Sequence, residues 1–271
     1  MKYILIVLFA AFFITACSKK DETKTSDVKN TEDFKPTEDD LKFSDKSFLK
    51  SYNNCSPNDT CTYFKVDYIE AASGKNKDKV NKFITGIINS GVTFGDTVLT
   101  TVQAAADSFI TQYTAFRKEN PDSPQYWYLE LNVSANQDHP KLISISSGSS
   151  SYMGGAHPNS YLAYFNINRE TGDTLSLGNI FAAGFEKKLN ELIDASFRKA
   201  NNIQPGENLM DKGGLFENKI TYNYNWKVNK DGSLTFYYNP YEIAPYAAGP
   251  IEVTLTKAEI TPLLSENSPL K

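Results

Sequence analysis

The fold of this chain is decided by residues 61–91, which read CTYFKVDYIEAASGKNKDKVNKFITGIINSG. Residues 61–70 are largely β-branched and aromatic, and the run ends at Ser73 and Gly74, which predicts a strand. Apolar residues then recur at helical spacing and stop at Gly91; they are Val80, Phe83, Ile84, Ile87 and Ile88. The stretch therefore predicts a strand followed by an amphipathic helix.

Residues 98–119 repeat the helical pattern and are followed by Pro121, which ends the predicted helix. One face of this helix carries Val102, Ala105, Ala106, Phe109, Ile110 and Tyr113. Strand patterns come next, at residues 126–133 and 142–146. A strand, two helices and a pair of strands form an α+β module. We predict an N-terminal α+β domain over residues 46–150.

The second half contains the clearest hairpin of the chain. Two alternating runs, residues 220–228 and 234–238, flank Asn229-Lys230-Asp231-Gly232, and Asp-Gly between such runs is a strong turn signal. Around it we predict a strand at 161–168, a turn at 169–173, a helix carrying Phe185, Leu189, Leu192, Ile193 and Phe197, a strand at 251–255, and a capping box from Thr256 to Glu259.

The predicted fold class is α+β, with two packed pieces, mainly antiparallel sheets, and helices on one face. Residues 151–271 form the C-terminal piece, and the two pieces meet near residue 150. Because the helices lie between hairpins and do not alternate one-for-one with strands, a doubly wound parallel sheet is disfavoured.

The N-terminus carries a secretion signal. Lys2 precedes an apolar run from Tyr3 to Phe13, which is too short to span a bilayer and is typical of a signal peptide over residues 1–16. The following Ile14-Thr15-Ala16-Cys17 resembles the lipobox of bacterial lipoproteins, in which the cysteine is acylated, for example with palmitate. The alternative is an ordinary signal peptide with a chance cysteine. Lipidation of Cys17 makes the protein anchored and not spanning.

Residues 17–45 are rich in Lys, Asp, Glu, Thr and Ser and predict a flexible tether. Ser18 after the cysteine resembles lipoproteins that are sent to an outer membrane; the periplasmic and the surface face both stay open. Removal of residues 1–16 takes away one lysine, which changes the formal net charge from −4 to −5. This mild acidity argues against a nucleic-acid partner, which needs clustered cations.

Cys55 and Cys61 remain as an even pair. In an exported protein they predict a disulfide that closes a short loop, and the Pro57-Asn58-Asp59 turn sequence favours this closure. The alternative is a metal site, but no further Cys or His stands near the pair. We expect no metal and no cofactor.

Three stretches of the C-terminal half together resemble a known family. They are residues 152–159 (YMGGAHPN), residues 166–168 with Thr171-Gly172 and residues 175–181, and residues 238–250 (YNPYEIAPYAAGP). The set resembles the domain of unknown function that forms the extracellular, lysozyme-binding part of the anti-sigma factor RsiV. It is also similar to the N-terminal half of the peptidoglycan deacetylase PdaC, with residues 60–150 as the partner domain.

The resemblance implies an α+β fold and a cell-envelope setting. It does not imply signalling or deacetylation, because the sequence has neither a transmembrane and sigma-binding segment nor a deacetylase domain. The partner that it implies is a lysozyme-like protein or peptidoglycan, met by a non-enzymatic binding domain.

The candidate binding residues come from two of these stretches: Gly154, Gly155, His157, Asn159, Tyr241 and Tyr246. The glycine pair permits positive φ in a turn. His157 either lines a binding surface or bonds the backbone of its own loop. The tyrosines sit among Gly and Pro and suit either a recognition surface or a packed corner equally well.

Catalysis has weaker support in the sequence. Asp67, Glu70, Asp173 and Glu242 lie near predicted strand ends, but their spacing pairs no two of them, and a glycosidase needs two carboxyls at a set separation. We therefore predict no catalytic residue. The alternative function is a peptidoglycan-modifying enzyme or an accessory domain of one, and a structural lipoprotein without a ligand is a third interpretation.

Replacing Cys17 by alanine should release the protein from the membrane fraction. The physical reason is that each buried acyl methylene contributes about 0.8 kcal/mol to membrane attachment. Detergent partitioning and cell fractionation measure the effect, and Ser18→Ala serves as the control that should stay membrane-bound. Unchanged fractionation of Cys17→Ala would contradict lipid anchoring.

Overall fold

A computed structural model of the protein describes residues 40–57, 60–92 and 98–271, and two β-sheets organise this part of the chain. The predicted signal peptide, Cys17 and the tether up to residue 39 lie outside the described residues. None of the described helices is long and apolar enough to cross a membrane. The predicted α+β class, with mainly antiparallel sheets, is confirmed.

The larger sheet has six strands that lie side by side in chain order. They are β1 (Lys42–Ser51), β2 (Tyr63–Ser73), β3 (Tyr128–Asn136), β4 (Leu142–Tyr152), β5 (Asn159–Asn168) and β6 (Thr174–Leu175). Neighbours are antiparallel except β2 and β3, which run parallel with Phe64 opposite Leu129. The exception follows from the two helices between them, since a parallel pair needs a crossover connection.

Those two helices, α1 (Lys77–Ser90) and α2 (Val102–Glu119), cover one face of the sheet, as predicted. Alternate residues of the strands face them, so Val66 and Leu131 pack in the same core as Ile84 and Phe109. The Thr101 side chain starts α2 by accepting a hydrogen bond from the Ala104 amide at 3.1 Å.

Strand β1 corrects the sequence prediction, which assigned residues up to 45 to the tether and no strand to residues 42–51. Its charged residues look like solvated chain, but edge strands commonly carry such charges. Phe43 and Phe48 pack against the core, and Lys46 makes an ion pair with Glu70 of β2 at 3.1 Å. A two-residue apolar signal in a polar stretch is too weak for sequence periodicity to detect.

The start of β1 is held by a buried ion pair. Asp40 and Arg169 are 7% and 8% exposed, and Arg169 Nη1 donates to Asp40 Oδ1 at 2.9 Å. Arg169 also donates to the carbonyl oxygens of Gln137 and His139, so its charge is well solvated by protein groups. This contact ties the beginning of the folded part to the turn after β5.

A disulfide joins Cys55 to Cys61 in the loop between β1 and β2, with the two Cα atoms 5.8 Å apart. In the same loop, the Tyr52 amide donates to the Thr62 carbonyl at 2.9 Å. The cross-link and the hydrogen bond together close the loop that leads into β2.

The second core is built mainly from elements of the C-terminal half, and β4 contributes Leu142 to it. Its helices are α3 (Leu177–Ile180), α4 (Glu186–Ala200), α5 (Leu209–Gly213) and α6 (Lys257–Ile260), and its sheet has β7 (Trp226–Val228), β8 (Leu234–Tyr238) and β9 (Ile251–Leu255) in that order. The predicted capping box is confirmed: Thr256 and Glu259 bond each other's backbone amides.

The predicted hairpin is present, but its first strand is shorter than expected. Only residues 226–228 pair with β8, whereas the prediction began the strand at residue 220. The segment before β7 instead forms hydrogen bonds through asparagine side chains: Asn225 bonds to the large sheet, and Asn223 bonds to Tyr237 and Glu242. The predicted turn forms with Gly232 at φ +79°.

Residue 150, the predicted boundary between the two pieces, lies within β4. The β4–β5 ladder runs from Ser151 opposite Asn159 to Leu142 opposite Asn168, so the sheet continues through the boundary. The two apolar cores use neighbouring residues of β4, because Leu142 packs in the second core whereas Ile143 packs in the first.

Two asparagine side chains join the small sheet to the large one along the free edge of β5. The Leu162 amide donates to Asn239 Oδ1 at 2.7 Å, and the Leu162 carbonyl accepts from Asn239 Nδ2 at 3.1 Å and from Asn225 Nδ2 at 2.7 Å. The Tyr164 amide donates to Asn225 Oδ1 at 2.8 Å. Each carboxamide therefore takes the place of a peptide unit in a neighbouring strand.

Replacing Asn225 by alanine should lower the free energy of unfolding by about 1–3 kcal/mol, because the Tyr164 amide loses its partner and the Leu162 carbonyl loses one of two. Urea unfolding measures the change. Asn132→Ala is the matched control: Asn132 is exposed on β3, and its loss should change stability by less than about 0.5 kcal/mol. Equal effects of the two variants would contradict the role given to Asn225.

Candidate functional site

Three aromatic rings from distant parts of the sequence meet at the surface; we call His157, Tyr241 and Tyr246 the aromatic cluster. The His157 ring stacks on the Tyr246 ring with centroids 4.2 Å apart and planes 21° apart. The Tyr241 ring lies 5.4 Å from that of Tyr246 and 6.3 Å from that of His157. The tyrosines stay 56% and 37% exposed, so the cluster is a surface feature and not a packed corner.

His157 reaches the cluster from the turn between β4 and β5. Gly154 and Gly155 have φ of +97° and +113°, and a Cβ on Gly154 would lie 2.8 Å from the Gln125 side chain, so this turn requires glycine there. The Tyr152 hydroxyl donates to the Gly155 carbonyl at 3.1 Å. His157 Nδ1 is 2.8 Å from the Pro158 carbonyl and, because a carbonyl only accepts, carries the proton in this contact.

The structure shows one of the two interpretations of His157, the bond to the backbone of its own loop, and the binding surface stays a prediction. His157 bonds the backbone of its own loop through Nδ1, and its ring stacks on a tyrosine of the other half of the chain. The hydrogen bond to the Pro158 carbonyl restricts rotation of the His157 ring, so the ring keeps the orientation in which it stacks on Tyr246.

The two tyrosines come from the segment after β8. Tyr246 begins a 3-10 turn over Tyr246–Ala248, and its hydroxyl donates to the Pro158 carbonyl at 3.4 Å. Tyr241 has φ +69°, the left-handed region that bulky residues rarely adopt. Strain of this kind persists where surrounding structure imposes it, and it is often found at binding sites.

A groove of about 870 Å³ opens beside the cluster and shares Tyr241 with it. Its floor is formed by β4 and β5, on the sheet face that α1 and α2 cover elsewhere. Beyond the end of α1, Ser147, Ser149 and Ala163 present small side chains on this face. One border is the end of α1, and others are the segments 223–225 and 239–242.

The groove carries little charge. Among the described residues that line it, Glu242 is the single charged one, and four are tyrosines: Tyr161, Tyr164, Tyr224 and Tyr241. Both carboxylate oxygens of Glu242 are engaged, since Oε1 accepts from Asn223 Nδ2 at 2.7 Å and Oε2 from the Asn239 amide at 2.8 Å. Glu242 therefore shapes the turn that carries Tyr241.

Five of the six predicted binding residues lie together: Gly154, Gly155 and His157 in one turn, and Tyr241 and Tyr246 in the segment that faces it. Asn159 opens β5 opposite Ser151 with an exposed side chain, and no contact joins it to the three rings. Sequence reasoning missed Tyr161 and Tyr224, which are 56% and 80% exposed. A tyrosine in an alternating strand pattern usually belongs to the core, so the pattern alone does not distinguish these two exposed tyrosines from core residues.

The other three candidate carboxylates each form an ion pair with a lysine. Asp67 accepts from Lys65 at 2.8 Å, Glu70 pairs with Lys46, and Asp173 pairs with Lys79. The Lys65 hydrogen bond is the main cause that lowers the pKa of Asp67, and the Lys79 hydrogen bond does the same for the pKa of Asp173. A lowered pKa suits an ion-pair partner and not a general acid.

The second histidine lies far from the first. His139 precedes β4 and His157 follows it, so the strand separates them by about 30 Å at 3.3 Å per residue. Burial, with smaller effects of Lys141, Lys257 and Arg169, lowers the pKa of His139 to about 4. In the neutral form, its Nδ1 accepts from the Lys141 amide at 3.2 Å.

No metal centre is seen in the residues that the structure describes, because no group of three or more His, Cys, Asp or Glu is placed to hold an ion. With those three carboxylates in ion pairs and no metal cluster described, the candidate site is the set of exposed aromatic rings beside a groove of low charge. Such a surface can bind through ring faces and hydroxyl groups.

The comparisons with known proteins agree with this architecture. Residues 178–258 match the family model described as a protein of unknown function, DUF3298, and residues 41–160 match the model described as deacetylase PdaC. The chain resembles the DUF3298 family in sequence and in fold. These matches confirm the resemblance predicted from the sequence and show a cell-envelope-type domain of unknown function. No curated protein sequence matches the chain.

Two crystal structures of DUF3298 proteins have a similar fold. The one from Bacteroides fragilis has a TM-score of 0.71 at 19% identity and covers 85% of this chain and 96% of its own. The one from Pseudomonas aeruginosa PAO1 has a TM-score of 0.65 at 15% identity and covers 85% and 97%. At this identity the likeness concerns the fold alone.

The aromatic cluster is shared between the two matched regions. His157 belongs to the region that matches PdaC, whereas Tyr241 and Tyr246 belong to the region that matches DUF3298. The cluster therefore exists only when the two regions are packed together.

Replacing Tyr241 by asparagine should leave the free energy of unfolding within about 1 kcal/mol of the wild type. Asparagine tolerates positive φ, which removes a strain of about 1–2 kcal/mol, while the lost ring contacts cost about 0.5–1.5 kcal/mol. Thermal unfolding measures the balance. Tyr238→Asn is the contrast, because Tyr238 is 1% exposed and its loss should destabilise by several kcal/mol. A comparable loss in Tyr241→Asn would mark Tyr241 as a core residue.

Proposed function

We propose that this protein is a lipid-anchored component of the bacterial cell envelope, at the outer membrane, whose folded part binds a lysozyme-like muramidase and catalyses no reaction. The observation that carries the proposal is the aromatic cluster, three rings held in fixed orientation at the surface and assembled from both halves of the chain.

The cluster has the properties of a protein-binding anchor. Tyrosine is enriched among residues that dominate binding energy, because its rigid ring buries a large area while its hydroxyl can still bond. Tyr246 is already oriented by its contacts with His157 and Pro158, so little conformational freedom is lost on binding. Tyr241 keeps its ring beside them despite its positive φ.

The choice of a muramidase rests on the resemblance to the lysozyme-binding domain of the anti-sigma factor. The formal charge of −4, or −5 without residues 1–16, is compatible with a cationic partner such as lysozyme but is too small to select one. Complementary charge of this size raises the association rate more than the affinity.

The alternative is a peptidoglycan-modifying enzyme or an accessory domain. Its support is the match of residues 41–160 to the model described as deacetylase PdaC. Against it, Glu242 uses both oxygens inside its own turn, and Asp67 and Asp173 are ion-pair partners with lowered pKa. A carboxyl that acts as a general acid needs a raised pKa and a free proton position.

Calorimetric titration of the full-length protein in detergent with lysozyme tests the proposal. We expect saturable binding, and we expect Tyr246→Ala to weaken it by more than about 1 kcal/mol, because an oriented anchor is lost. Tyr224→Ala is the control: Tyr224 is more exposed but lies outside the cluster, so its loss should leave the affinity nearly unchanged.

Two outcomes would contradict the proposal. Absence of heat across micromolar lysozyme would exclude this partner. Release of acetate or of sugar fragments from added peptidoglycan would instead favour the enzyme alternative. Melting temperatures of all variants are measured beside the titrations, so that unfolding is not mistaken for lost binding.

A further inference from the structure

We propose that the groove beside the aromatic cluster is a second binding site, which takes a neutral polysaccharide strand. This goes beyond the muramidase proposal, because the residues that carry it, Tyr161, Ser147 and Ser149, lie on the sheet and outside the cluster. The two sites share only Tyr241.

The floor of the groove is a part of the sheet that none of the described helices covers. Helix α1 ends at Ser90, and beyond it the same sheet face continues through Ser147, Ser149 and Ala163. In the helix-covered part the equivalent positions on β4 are Ile143 and Ile145, which are fully buried. The face changes from apolar to polar at Ser147, which is still buried at 9% exposure, and begins to open to solvent at Ser149, which is half-buried.

Tyrosine rings supply the apolar part of the site. Tyr161 stands on this floor and is 56% exposed, and Tyr224 at the border is 80% exposed. A pyranose ring has an apolar C–H face and a rim of hydroxyls, so its chemistry complements a tyrosine, which has an apolar ring and one hydroxyl. An apolar peptide would leave the serines of the floor without partners.

The serine hydroxyls supply free hydrogen-bonding capacity. Among the described residues, no hydrogen bond engages the side chain of Ser147 or Ser149. The asparagines that line the groove are different, since Asn225 and Asn239 use their carboxamides on the edge of β5. A hydroxyl both donates and accepts, which suits it to the hydroxyls of a sugar.

Charge selects a neutral ligand. No lysine or arginine is among the described residues that line the groove, whereas Glu242 contributes a carboxylate. A phosphate or a uronic acid would therefore meet the Glu242 carboxylate without a cation in the groove lining. The Lys227 ammonium, 4.9 Å from the centre of the Tyr164 ring, is already engaged with that side chain. The volume of about 870 Å³ is in the range of about 300–1,000 Å³ typical of ligand sites, and the groove is open to solvent, as a strand longer than the site requires.

The test is titration of the full-length protein in detergent with chitohexaose and cellohexaose, two neutral hexasaccharides, and with an oligogalacturonate of equal length. We expect saturable binding of a neutral hexasaccharide and weaker binding of the anionic one. Tyr161→Ala should lower the affinity about tenfold through loss of the stacking ring. Ser149→Phe should abolish binding by filling the floor, without removing any group that the fold uses.

Tyr246→Ala is the matched control, because Tyr246 belongs to the cluster and does not line the groove. It should retain the affinity for the hexasaccharide and bind lysozyme more weakly, whereas Tyr161→Ala and Ser149→Phe should retain the affinity for lysozyme and bind the hexasaccharide more weakly or not at all. Failure of lysozyme binding alone would therefore leave the groove assignment intact. The assignment is overturned if neither neutral hexasaccharide binds up to millimolar concentration, if the anionic one binds as tightly, or if the folded groove variants bind like the wild type.

Discussion

The pairing of β5 with two asparagine side chains is the constraint on which the arrangement of this molecule depends. A strand at the edge of a sheet has backbone groups that need partners, and β6 supplies them only near Asn166 and Ile167. Asn225 and Asn239 supply them at Leu162 and Tyr164. Because both asparagines flank strands of the small sheet, satisfying this edge also fixes where the second core lies against the first.

The site follows from that junction. Tyr241 stands two residues after Asn239, and Tyr161 stands one residue before Leu162, so the hydrogen bonds that join the sheets also position rings on both sides of the groove. Glu242 completes the turn by accepting from the Asn239 amide and from Asn223. Polar side chains in this region thus act as backbone substitutes, which leaves Tyr161, Tyr224 and Tyr241 as the groups that face solvent.

Sequence patterns predicted the elements whose signal is local. The helices α1 and α2, the Asp-Gly turn and the Thr256–Glu259 capping box depend on periodicity or on residues a few positions apart, and all are present. Strand β1 was missed because its apolar signal is weak in a polar stretch. The first strand of the hairpin was predicted too long because Asn225 bonds to β5, which lies far away in the sequence. The grouping of the three aromatic rings came from a family resemblance, whereas Tyr161 carries no local mark that separates an exposed floor residue from core.

The conformation of Tyr241 separates a structural from a binding explanation of the cluster. Positive φ costs a bulky residue about 1–2 kcal/mol, and glycine or asparagine would avoid that cost in the same turn. Burial does not offset it, because more than half of the side chain is exposed. Contacts with His157 and Tyr246 recover part of it, but those rings are themselves at the surface. The backbone conformation of Tyr241 places a third ring at the mouth of the groove. The stability of the fold alone does not explain a tyrosine at this position.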